Sequence, residues 1–78
     1  MHDLIPLNCL LAGQHGEVGM VLGQPAEVHR LEEIGLRGGT NVQMIRPGSP
    51  CIIRLAGNKL CFRADELVSV MVRPGDLL

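Results

Sequence analysis

Pro25-Ala26-Glu27-Val28-His29-Arg30-Leu31-Glu32-Glu33-Ile34-Gly35-Leu36 is the stretch whose reading decides the fold. Pro25 suits the first position of a helix, where its missing N–H has no partner to lose and its fixed φ is already helical. Val28, Leu31 and Ile34 recur at helical spacing and predict the buried stripe. Gly35 then falls where a left-handed residue ends a helix. Leu36 follows at C″, placed to meet Leu31 at C3, the apolar pairing of a Schellman stop. The stretch predicts a helix over 25–34 that ends in a locally specified reversal.

Outward from that helix the chain reads as short strands. Before it, 17–22 alternates, with Val18, Met20 and Leu22 expected on one face of the first full strand. Residues 1–14 carry apolar clusters, Leu4, Ile5 and Leu7 and then Leu10 and Leu11, and end at Gly13. They are expected to pack across one end of the domain. After the helix, Gly38-Gly39 turns into a strand over 40–46, in which Val42 and Met44 share a face. Pro47-Gly48-Ser49-Pro50 is a loop.

A hairpin follows, Cys51–Leu55 against 59–63, read around Gly57-Asn58 as a two-residue primed turn. That turn predicts a register: Leu55 with Leu60 and Ile53 with Phe62 on one face, Arg54 with Cys61 and Ile52 with Arg63 on the other. Residues 64–66 form a tight turn before a last strand over 67–72, with Val70 and Val72 inward. The tail 73–78 holds Pro74-Gly75 and is expected to fray. The sum is a mainly β fold: one domain over 1–78, about five strands closing into a small barrel, with a short helix between the first and second.

Composition narrows the function. In 78 residues, 46% are apolar and a single aromatic, Phe62, is present, so aliphatic side chains must fill the core. The formal net charge is −1, and the seven basic residues are spread along the chain without a basic arm. Nucleic-acid binding, which needs a cationic footprint and usually stacking aromatics, is not expected. Cys9, Cys51 and Cys61 are too few and too irregular for a disulfide framework, and free thiols suit a reducing compartment. No signal-peptide pattern and no run of about 20 apolar residues is present. The expectation is a cytoplasmic protein with no direct membrane insertion.

The side chains show no catalytic constellation. Thr40, Ser49 and Ser69 lie in no nucleophile-elbow or triad-like context, and no phosphate-cradling glycine motif follows a strand. The chain is read as not an enzyme. His29 and Glu33, at i and i+4, can place two metal ligands on one helix face, and His2, Asp3 and His15 could add to them. The plainer reading makes this a solvated face beside Arg30 and Glu32. No cofactor is built in, and any transition-metal binding at His29 and Glu33 is expected to be weak. Cys51 alternates inward with Ile53 as a core filler. Cys61 falls on the outward face with Ile52.

Leu31-Glu32-Glu33-Ile34-Gly35-Leu36-Arg37-Gly38-Gly39-Thr40, then Val42, Pro50, the Gly57 hairpin, Leu60, Phe62-Arg63, Val70 and Val72 carry a resemblance. From about residue 13 to 72 the chain resembles the ferrous iron transport protein A (FeoA-like) family. Gly38 stands where that family commonly has Pro, and the loop 47–50 is shorter than its usual one. The resemblance implies an SH3-like β-barrel, a module also found at the C-terminus of iron-dependent repressors. Structural roles fall to Gly35, Leu36, Gly39 and Gly57. It also implies a small cytosolic accessory that binds the cytoplasmic part of the ferrous iron permease, a membrane GTPase, and modulates transport.

The aromatic-lined groove that docks proline-rich peptides cannot be built from Phe62 alone. Candidate partner contacts are the loop 46–50, Arg46 and Pro47 foremost, and Ile52, Arg54, Cys61 and Arg63 on the outward face of the hairpin. Self-association is left open. A metal-responsive regulatory domain, like the repressor module without its DNA-binding part, is the alternative.

Overall fold

The helix forms where the sequence places it. In the computed structural model, which describes residues 3–75, helix α1 spans Pro25–Glu33 with Pro25 in its first turn. Gly35, at φ +111°, ends it. Its N–H donates to the Glu32 carbonyl at 3.0 Å, and the Leu36 N–H donates to the Leu31 carbonyl at 3.0 Å. These are the two bonds of a Schellman motif, and the leucines that frame it are both buried. Each buried leucine contributes roughly 1.5–3 kcal/mol.

The buried stripe differs from expectation at one position. Ile34 is 44% exposed, because the helix stops at Glu33 and Ile34 becomes the capping residue. Leu36 takes its place in the core after the reversal, and Val28 is half-buried.

The helix accompanies a sheet of six strands: β1 (Ile5–Pro6), β2 (His15–Val21), β3 (Asn41–Arg46), β4 (Cys51–Leu55), β5 (Asn58–Phe62) and β6 (Val70–Pro74). Two 3-10 turns, Leu7–Cys9 and Ala64–Glu66, complete the elements. Every pairing is antiparallel, in the order β1-β6-β2-β3-β4-β5. The count exceeds the expected five because the entry segment itself pairs, Ile5 with Val72 and Pro6 with Met71. The helix joins the first two long strands, β2 and β3. The sheet does not close on itself, so the barrel is a loose one, with β1 and β5 as its two edges.

A bulge corrects the reading of β2. Val18 faces Val72, but the next partners are Met20 with Met71 and Val21 with Val70. Gly19 is the extra residue, and it inverts the alternation beyond it. Val18 is buried and Val21 packs on the core, while Met20 and Leu22, expected inward, are each 49% exposed. Leu4 lies over the bulge: a Cβ at Gly19 would come 2.8 Å from Leu4 Cδ2. A side chain at that position would push the end of Leu4 aside.

The hairpin register is also corrected. Ala56 and Gly57, not Gly57 and Asn58, form the turn, at φ 53° and 83°. The pairs are Leu55 with Asn58, Arg54 with Lys59, Ile53 with Leu60, Ile52 with Cys61 and Cys51 with Phe62. A two-residue slip conserves the side-chain faces, so Ile53, Leu60, Cys51 and Phe62 stay on the core side as expected. The cross-strand partners change on both faces.

β6 runs two residues further than expected. Arg73 and Pro74 belong to it, Arg73 Nη1 contacts Glu17 Oε1 at 2.9 Å, and the Gly75 N–H donates to the His15 carbonyl at 2.7 Å. The remainder of the expected tail, 76–78, lies outside the described residues, as does His2. The core is one aliphatic cluster drawn from every strand, the helix and both 3-10 regions. Leu7, Leu36, Met44, Ile53, Leu67 and Val70 are all 0% exposed. Among the described residues no polar or charged side chain is fully buried.

Candidate partner-binding face

With the interior filled by aliphatic side chains, polar chemistry lies on the outside of β3, β4 and β5. Two cross-strand rows define that face. One is Arg46–Ile52–Cys61 and the other is Gln43–Arg54–Lys59. A bulge at Ile45 in β3 brings Arg46 opposite Ile52. Arg46, Arg54, Lys59, Cys61 and Arg63 are exposed and Ile52 is half-buried. The structure therefore gathers Arg46, Ile52, Arg54 and Cys61 on one surface. Pro47 stands at its margin in the exposed loop, and Arg63 follows directly after β5.

Lys59 was missed among the candidates because the expected turn paired Arg54 with Cys61. Reading Ala56-Gly57 as the turn would have found it. Phe62, read as a core residue, was also not among the candidates, whereas Ser49 and Pro50 belong to the candidate loop 46–50. With Cys61, Arg63 and Glu66 these three line a surface groove of about 400 Å³ at the end of β5.

The charge around this face is segregated. Residues 34–64 carry Arg37, Arg46, Arg54, Lys59 and Arg63 and not one carboxylate. All eight acidic side chains lie elsewhere, with only Arg30 and Arg73 among them. Those two are the arginines that form ion pairs, Arg30 with Glu66 at 3.2 Å and Arg73 with Glu17 at 2.9 Å. Among the described residues no carboxylate pairs with Arg46, Arg54, Lys59 or Arg63. Glu66, at the rim of the groove, is engaged already, by Arg30 and by the Arg63 N–H at 2.9 Å. A net charge of −1 conceals a cationic face.

The helix pair forms as its spacing implies. His29 Nδ1 lies 2.8 Å from Glu33 Oε1, with both side chains mostly exposed. Among the described residues, no cluster of three or more His, Cys, Asp or Glu side chains is arranged to hold a metal. His15 sits on β2 opposite Gln43, away from this helix face. Cys51 is buried, its Sγ 3.6 Å from Met44 Sδ. Burial, with a smaller contribution from the neighbouring Cys61, pushes its thiol pKa up. A second groove, of about 470 Å³, lies between α1 and the Ala64–Glu66 turn and is lined by Glu27, Arg30, Asp65, Glu66 and Ser69 among others. No helix is long and apolar enough to cross a membrane among the described residues.

Solved structures share the fold that presents this face. The solution structure of a FeoA protein from Chlorobium tepidum is 32% identical, with a TM-score of 0.78 over 88% of this chain and 69% of that one. An iron uptake regulatory protein (FeoA) is 27% identical, with a TM-score of 0.85 over 92% and 99% of the two chains. The zinc complex of Stenotrophomonas maltophilia FeoA, described as a prokaryotic SH3 domain protein, shares the fold at 22% identity, TM-score 0.81, over 95% and 99%. The same SH3-like fold recurs in 34% of the chain of T. acidophilum IdeR, at 15% identity and a TM-score of 0.81 over 92% of this chain. A search of curated proteins finds no match. The FeoA domain model matches residues 5–74, nearly the whole described chain, and the protein belongs to that family.

Proposed function

We propose that this chain is a cytoplasmic accessory of ferrous iron uptake that binds the cytoplasmic part of a membrane GTPase permease and modulates transport without catalysing a reaction itself. The observation that carries the reading is the family match across residues 5–74. The segregated cationic face on β3 to β5 supports it, because a filled aliphatic interior leaves outer surfaces as the place where a small domain can work. Arg46, Ile52, Arg54, Cys61 and Arg63 are the contacts assigned to that partner, with Pro47 at the margin.

The test is capture of the permease's purified cytoplasmic part by the full chain, read by calorimetry, with Arg54→Glu and Arg63→Glu together as the variant. The expected result is saturable binding that the double reversal weakens by about tenfold or more. Absence of binding by the unaltered chain would sink the reading.

A second reading, a metal-responsive regulatory domain, is favoured by the fold shared with IdeR and by the His29–Glu33 pair. It requires saturable Fe(II) or Mn(II) binding that weakens in His29→Ala. Calorimetry with either ion decides it.

A further inference from the structure

We propose that the free edge of β5 docks an extended segment of a partner protein, alternating acidic and apolar residues, which adds to the sheet as a further strand. The proposal deepens the adaptor reading and rests on it only for who the partner is.

Three observations carry it. First, β5 is the last strand of the open sheet, and its far side pairs with no other strand among the described residues. The Leu55–Asn58 pair closes a two-residue turn, and bonded and open pairs alternate along an antiparallel ladder. The N–H and C=O groups of Lys59 and Cys61 are therefore directed away from β4. An unpaired edge of this kind is a template for an added strand.

Second, the two faces of that edge ask for different side chains. Leu60 and Phe62 point to the core side, where they pack on the main cluster yet remain only partly buried. An added strand with apolar residues at alternate positions would complete their burial. On the outer face Lys59 and Arg54 lie side by side, Arg63 follows beyond the strand, and no described carboxylate pairs with any of them. Acidic residues at the intervening positions would meet these cations. The groove lined by Pro50, Phe62 and Arg63 offers room for the end of the segment.

Third, the chain's own surfaces fit the edge poorly. Two copies pairing β5 with β5 would bring Lys59 and Arg63 toward like charges, the usual protection of an edge against self-association. The opposite edge, β1, is two residues long and one of them is Pro6, which has no N–H. The chain's carboxylates near α1 and the Ala64–Glu66 turn lie off any strand edge. A single-stranded nucleic acid would meet the cations but not the backbone edge, and it would find one aromatic side chain.

The experiment is an NMR titration of the full chain with a blocked peptide of about eight residues alternating Glu and Val. Expected are shifts and slowed exchange at the Lys59 and Cys61 amides, and affinity that falls as salt rises from about 50 to about 500 mM. A Lys-Val peptide and an N-methylated Glu-Val peptide should not bind. Lys59→Glu with Arg63→Glu, both exposed positions whose retained fold is checked from the same spectra, should weaken the peptide by about tenfold or more. Shifts mapping elsewhere, equal binding of the Lys-Val peptide, or an oligonucleotide binding this face more tightly than the peptide would overturn the proposal.

A parallel titration with the permease's cytoplasmic part separates the two readings. If that domain binds but ignores the Lys59/Arg63 reversal, the edge proposal is overturned and the adaptor reading stands. If the peptide binds as expected and that domain does not, the adaptor reading fails and the edge site stands.

Discussion

The Leu36 N–H donates to the Leu31 carbonyl across 3.0 Å, and the two side chains on either side of that bond are 0% and 4% exposed. The reversal between them depends on Gly35. Its φ of +111° is one that an L side chain rarely adopts, and a Cβ there would stand 3.1 Å from Leu55 Cδ2. Gly35→Ala should therefore destabilise the protein by about 2–3 kcal/mol, the sum of backbone strain and crowding of a buried leucine. Urea unfolding should show a lower midpoint at an unchanged slope. A change below about 0.5 kcal/mol would mean that the reversal tolerates a side chain.

Leu36 and Ile34 stand two residues apart and should respond very differently. Leu36→Ala opens a cavity in the aliphatic core and should cost about 2–5 kcal/mol. That is a large share of the roughly 4–12 kcal/mol expected for a chain of this size. Ile34→Ala trims a side chain that is 44% exposed and should cost well under about 1 kcal/mol. Equal losses from the two variants in urea unfolding would contradict the packing described here.

The hairpin turn holds an alanine in the left-handed region, at φ 53°, next to Gly57 at φ 83°. Two positive φ values are those of a type I′ turn, for which Asn-Gly is preferred. Ala56→Asn should stabilise by about 0.5–1 kcal/mol, a gain of several degrees in Tm for a domain of this length. A calorimetric scan showing no gain or a loss would argue for the turn first read from the sequence, at Gly57-Asn58.

Cys51 links stability to alkaline pH. Burial, and then the neighbouring Cys61, raises its thiol pKa above the ordinary 9.0. The folded state thus holds the thiol proton to higher pH than the unfolded chain does. The associated stability is complete below the unfolded thiol's pKa and is lost as pH climbs from there through the folded value. Urea midpoints should decline above about pH 9, and Cys51→Val should flatten that decline. Alkylation under native conditions should label the exposed Cys9 and Cys61 and spare Cys51 until the protein unfolds. Rapid native labelling of Cys51 would place it outside the core.

Much of the candidate face was legible in the sequence, though its cationic character was not read from it. The alternation of Ile52, Arg54, Cys61 and Arg63 against a core-facing set survived the change of register, because a shift by two residues leaves every side chain on its face. Lys59 was missed, since placing it beside Arg54 demands the register itself. Net charge hid the segregation of acids from bases, which appears once positions 34–64 are counted separately.

The sequence by itself determined the features written in local chemistry. Pro25 opens the helix, Gly35 and Leu36 close it, Val42 and Met44 alternate inward, and Pro47-Gly48-Ser49-Pro50 interrupts the sheet. Each depends on backbone preferences within a few residues. The tertiary structure alone decided the Gly19 bulge, the turn at Ala56-Gly57, the pairing of Ile5 with Val72 and the exposure of Ile34. Those outcomes depend on contacts between segments distant in the chain: Leu4 seated over Gly19, Leu55 packed beneath Gly35, β6 lying between β1 and β2. Local preferences are blind to such contacts, and the energy that settles them is the burial of one shared aliphatic core.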